Sequence, residues 1–170
     1  MTFHPLEHEI IAGFDASRPI GSEWKDSPLM ELVAAAPATK GRFAREIIEQ
    51  LAAAADVPFG HVPGHTGGRV RVGSVACEIK FSTEDPTRFQ QVRPPADGYD
   101  YLIGIGAHPQ DLVYWVIHAA DVLRLIDEGW IGYQHAETSL WFFPSTEGDD
   151  AFSIYRTTAE GVIARFRDVG

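Results

Sequence analysis

Glu78-Ile79-Lys80 is the triplet in this 170-residue chain with the most chemistry to offer. Side chains alternate faces along a strand, so on a strand Glu78 and Lys80 point one way and Ile79 the other. A carboxylate and an ammonium set side by side need partners, because isolated charge is costly to bury. Glu78 and the main-chain carbonyl of Ile79 offer oxygen ligands to Mg2+, an ion that prefers oxygen and retains several waters. Lys80 is placed to orient an attacking water and to offset charge building on a pentavalent phosphate. Taken alone the triplet is weak, since on a surface strand Glu-x-Lys is ordinarily a cross-strand ion pair. Its surroundings decide.

Those surroundings supply a strand. Arg69-Val70-Arg71-Val72 alternates polar and apolar, Gly73-Ser74 turns, and Val75 to Phe81 continues, which is a hairpin with a two-residue turn. Upstream lies the clearest helix, from Thr39 as its cap to about Ala55. Phe43, Ile47, Ile48 and Leu51 recur there at helical spacing, and Arg42, Glu46, Glu49 and Gln50 fall on a more polar side. Ser27-Pro28 opens a shorter helix over 29–36, which Pro37 stops. Residues 57–59 are extended, and 60–68, with four glycines, form a loop. Downstream, Asp85-Pro86 opens a short helix through Val92. Residues 99–106 and 112–117 are buried strands joined around Pro109. A helix over 119–128, a strand over 140–143 and a terminal helix over 152–166 follow. The expected fold is α/β: one domain over 1–170, a mixed central sheet of about four or five strands with flanking helices, and 1–26 as an N-terminal arm.

The order of these parts resembles the core of the PD-(D/E)XK nucleases, the group of type II restriction endonucleases, Holliday-junction resolvases and repair nucleases. It runs through a helix with an inward glutamate (Gly41-Arg-Phe-Ala-Arg-Glu46), a glycine-rich loop, a hairpin, Glu-x-Lys, and Phe81-Ser82. It continues in Phe89-Gln90-Gln91-Val92-Arg93 and Tyr99-Asp-Tyr-Leu-Ile-Gly-Ile-Gly, covering roughly residues 39–120. The resemblance implies a restriction-endonuclease-like fold and Mg2+-dependent hydrolysis of DNA phosphodiester bonds, with Mn2+ as a substitute. It casts Glu46 as the helical acid, Glu78 as the central metal ligand, Lys80 as the catalytic lysine and Gln91 as the glutamine that places metal or substrate. Ser82 is a polar neighbour. The family expects a further acid at the start of the first hairpin strand, where this chain reads His65-Thr66-Gly67-Gly68-Arg69-Val70-Arg71. Asp56 could supply it from upstream; catalysis could be lost with the fold retained; or a small residue such as Gly68 stands where the acid belongs.

Arg69 and Arg71 are read as outward-pointing hairpin cations for phosphate, with Arg93 beside them. Gln134 and His135, in a late loop, are read as base or phosphate contacts. His4 with His8, and His61 with His65, share an i, i+4 spacing, but Pro63-Gly64 rules out a helix for the second pair and solvated histidines explain both. Gly104-Ile-Gly106 lacks the third glycine of a dinucleotide fingerprint and reads as strand packing. Cys77 reads as a small buried hydrophobe, and Trp115, Trp130, Trp141, Phe142 and Phe143 as core or dimer-interface residues.

Composition bounds the partners. The apolar fraction of 45% is that of a globular protein, and no apolar run reaches the roughly 18 residues that span a bilayer. One cysteine excludes an internal disulfide, and the start of the chain lacks a secretory pattern, so the expected location is cytoplasmic. A net charge of −10 opposes indiscriminate nucleic-acid binding. Residues 37–95 nevertheless carry +2, whereas 96–170 carry −8. Double-stranded DNA gripped by a homodimer is the expected partner arrangement. The alternatives are an inactive nuclease-fold protein that binds DNA or scaffolds, and an acidic interaction protein of the immunity type that binds a basic partner.

Overall fold

The two-residue turn dictates the register of the hairpin, and the rest of the sheet grows from it. In the computed structural model, which describes Glu7 and residues 21–62, 69–84, 86–134 and 138–169, strand β2 (Arg69–Val72) pairs antiparallel with β3 (Val75–Ser82). Gly73 turns the chain at φ 57°, a conformation that glycine adopts without steric cost. Strand β1 (Phe59–His61) adds to the outer side of β2, in a stretch expected to begin a loop. On its other side β3 runs parallel to β5 (Tyr101–His108), which returns through Pro109 into β6 (Asp111–His118). Strand β9 (Arg156–Thr157) closes the far edge, giving a mixed six-stranded sheet in the order β1-β2-β3-β5-β6-β9. Strands β5 and β6 are apolar almost throughout because both faces are covered.

Each face carries its own core. On one side pack α1 (Met30–Ala34), α2 (Pro37–Ala54) and α4 (Ala159–Val169). Phe43, Ile47, Ile48 and Leu51 of α2 meet Cys77, Ile79, Ile103 and Ile105 there. Buried Glu7 accepts a hydrogen bond from the Tyr114 hydroxyl. On the other side lie α3 (Ala119–Asp127) and a small antiparallel sheet of β4 (Phe89–Val92), β8 (Ser139–Phe142) and β7 (Gly132–Gln134), in the order β4-β8-β7. Phe89, Phe142, Leu140, Val122 and Leu125 pack with Trp115 and Leu102 beneath them. The missing side chain at Gly104 of β5 allows this contact: a Cβ there would come within 2.8 Å of the Phe89 ring. The molecule is thus a single α/β domain with a mixed sheet between helices, as the sequence predicts at that level.

Four elements differ from expectation. Pro37 does not merely stop α1; it is the first residue of α2, with Ala36 as the cap, so Thr39 is not the cap but lies inside the helix. The segment before Val92 is strand β4, not a helix. Phe89 and Val92 are both buried at an i, i+3 spacing because a bulge separates them, with Gln91 at φ 51°. Residues 132–134, read as loop, form β7. The terminal segment is not one helix over 152–166: a 3-10 turn (Ser153–Tyr155) and β9 precede α4.

Candidate functional site

Glu78 and Lys80 share a face of β3, as alternation requires, and it is the face away from α2. Glu78 is 1% exposed. Its Oε1 lies 3.1 Å from Lys80 Nζ and its Oε2 lies 3.7 Å from Arg69 Nε. The hairpin register forces the second contact, since Arg69 stands directly opposite Glu78. Arg69 is therefore not the outward phosphate contact expected. It is buried (2%), donates to the main-chain carbonyl of Asp97, and stacks its guanidinium 5.9 Å from the Tyr99 ring centroid. Burial lifts the Tyr99 phenol well above its usual range; the Glu78 charge adds to the rise, while Arg69 acts against it. Glu78 Oε2 and the Tyr99 hydroxyl are buried with no hydrogen-bond partner among the described residues.

Lys80 carries this cluster to the surface. Its ammonium donates to the main-chain carbonyl of Gln91 at 2.7 Å. It also lines a groove of about 490 Å3 with Lys40, Arg45, Phe81 and Gln91 at the N-terminal end of α2. Lys40 in turn donates to Thr83 Oγ1 at 3.0 Å, tying the helix to the end of β3. Gln91 is thus brought to Lys80 as expected, but through its main chain. Lys40 and Arg45 were not singled out from sequence; their i, i+5 spacing on the helix gives no motif.

The remaining expected residues are elsewhere. Glu46 does not point inward as expected: it is exposed, in a cleft with Arg42, Glu49 and His61. Its helix packs on the Cys77–Ile79 face, so Glu46 and Glu78 lie on opposite sides of the sheet. Asp56 holds φ 61° just beyond α2. There Asp56 N–H bonds the Ala53 carbonyl and Val57 N–H the Ala52 carbonyl, a Schellman close to the helix. The strand that follows begins at Phe59 opposite Val72, the far end of β2 from Arg69, so Asp56 does not reach Glu78. Ser82 is buried, and its Oγ accepts from the Glu84 and Arg88 N–H groups, each at 3.2 Å, which closes a turn. Arg71 is exposed and donates to the Ser74 carbonyl; Arg93 is half-buried just after β4. The side chain of Gln134, and His135, His65 and Gly68, lie outside the described residues.

A divalent cation does not fit what is described. The cluster of Arg69, Glu78 and Lys80 holds one carboxylate against two cations, a net positive charge where Mg2+ needs a negative one. Among the described residues no group of three His, Cys, Asp or Glu side chains gathers. What the arrangement does offer is anion recognition by cations fixed on a rigid strand and helix. No protein-family model matches the chain, and no curated protein matches it.

On the opposite face, Cys77 is buried and its thiol is pushed from 9.0 up to about 12 by desolvation, with a smaller contribution from Asp100. A raised native pKa means that stability is fully present below about pH 9 and drains away as pH climbs toward 12, because the unfolded thiol ionises first. Urea midpoints are expected to fall as pH rises above about 9, and Cys77→Ala to lessen that fall. Parallel pH profiles for the two proteins would remove the thiol from the account.

Proposed function

We propose that this chain grips the phosphodiester backbone of DNA with a nuclease-type core one carboxylate short of a hydrolytic metal centre. The observation that carries the reading is the Lys80 groove. There the lysine of the Glu-x-Lys pair opens from a buried ion pair into a groove shared with Lys40 and Arg45. Three cations converge in a protein of net charge −10, and phosphate is the ligand such a concentration favours. The restriction-endonuclease-like arrangement, the homodimer and a double-stranded substrate belong to this proposal, on the strength of the motif order.

A second reading keeps catalysis: a Mg2+-dependent endonuclease of the restriction type. Glu78 Oε2, buried without a hydrogen bond, favours it as an available ligand atom. One experiment separates the two. Duplex DNA binding is followed by fluorescence anisotropy across a salt series, and supercoiled plasmid is incubated with Mg2+ or Mn2+. Binding that weakens with salt is expected, without nicking. Lys80→Ala should weaken it by about the value of one phosphate contact, lowering the salt slope by about one. Nicking that disappears in Lys80→Ala establishes the second reading. Absence of DNA binding at low salt, with capture of a basic protein instead, leaves the acidic interaction protein in its place.

A further inference from the structure

The small sheet presents an aromatic surface beside the groove. Along β8, Leu140 and Phe142 point into the core, so Trp141 and the next residue, Phe143, alternate to the outside. Phe143 is 44% exposed and meets the Trp141 ring edge-on, with centroids 4.9 Å apart. The indole rests on Gly132 of β7, where any Cβ would come within 2.9 Å of it, and its Nε1 donates to the Tyr133 carbonyl at 3.2 Å. Three contacts hold a half-exposed ring in one place. The inner faces of the same strands already fill the core, which therefore does not require these outer rings.

This surface adjoins the groove. Phe89 pairs with Phe142 and Val92 with Leu140, so the bulged Gln90-Gln91 stands opposite Trp141. The carbonyl of Gln91, within that bulge, accepts from Lys80 at 2.7 Å. Strand β4 therefore lies between the Lys80 ammonium and the strand that carries Trp141. A held aromatic face next to converging cations matches the two halves of a nucleotide, base and phosphate. We infer that the nucleic acid gripped here presents an unpaired base, which stacks on Trp141 while the flanking phosphates lie in the Lys80 groove. In a duplex both faces of a base are already stacked, so only single-stranded, frayed or extruded nucleotides can use the indole. The inference rests on the DNA-binding reading and names its substrate class.

The test compares anisotropy titrations of a short oligothymidine and of the same strand annealed to its complement, using the full chain. Trp141→Ala is expected to weaken single-strand binding by about tenfold and to leave duplex binding unchanged. Trp141→Phe, which keeps an aromatic face, should retain most of the affinity. Phe143→Ala, at a more exposed position, should give a smaller single-strand loss and guards against misfolding of the tryptophan variant. Lys80→Ala should weaken both forms. If Trp141→Ala and Phe143→Ala both leave single-strand affinity intact, or if Trp141→Ala lowers the two forms equally in a folded protein, the stacking surface is lost and the groove survives. A native chain that binds neither form removes the DNA reading itself.

Discussion

Glu78→Ala is expected to lower the free energy of unfolding by about 3–5 kcal/mol. The loss comes less from the missing attraction than from what stays behind. Arg69 remains inside the protein, under Tyr99 and against the Asp97 carbonyl, with its carboxylate neighbour gone. Lys80, which is 22% exposed, can rehydrate; Arg69 cannot. Glu78→Gln keeps the shape but still removes the charge that stands 3.7 Å from the guanidinium, so it should recover only part of the loss. The informative control is the double replacement Arg69→Met with Glu78→Leu. Buried ion pairs exchanged for apolar residues of similar volume are often neutral or stabilising. Equilibrium urea unfolding of the three variants decides. Should Glu78→Ala cost no more than a surface substitution, the pair is not the buried electrostatic unit described.

Gly68→Asp is expected to turn binding into cutting. Residue 68 immediately precedes Arg69 in the sequence, at the start of the hairpin where the resemblance expects the second acid. It would match the two cations with two carboxylates and cancel the net positive charge that opposes Mg2+. Calorimetry should show Mg2+ binding tighter than in the native chain by at least about 10–100-fold, the range that even supporting partners of a metal site command. Supercoiled plasmid should be nicked with Mg2+, and Lys80→Ala in the same background should abolish it. A variant that binds DNA normally yet neither takes up Mg2+ nor cuts would mean that more than one carboxylate separates this core from hydrolysis.

Much of the sheet was legible because its signals are local. A two-residue turn at Gly73-Ser74 fixes the whole β2–β3 register, and alternation then puts Glu78 with Lys80 and Ile79 opposite. The same register places Arg69 against Glu78, and a reader who carries it through finds the buried ion pair; reading Arg69 by polarity alone sends it outward. The helix over Phe43–Leu51 was equally plain, yet helical periodicity does not say which sheet face it covers, and that choice strands Glu46. Strand β4 was hidden by its bulge, since two buried residues three apart imitate a helix turn. The groove and the Trp141 surface were not legible at all: the groove depends on α2 meeting β3 and Gln91 across a long stretch of sequence, and the surface on β7 being a strand where a loop was expected.

The parallel joint between β3 and β5 makes the central wall of the molecule stiff. Ile79 and Ile103 press on one core and Glu78 and Leu102 on the other across the same backbone ladder, so neither face can relax without disturbing its counterpart. Lys80 is anchored in that wall. Its opposite bank, the Gln91 carbonyl, belongs to a four-residue strand that carries a bulge and a positive φ. The groove therefore has one unyielding side and one compliant side. On the proposed reading, a phosphate in the groove would meet the lysine on the stiff side and the main chain of the bulged glutamine strand on the other.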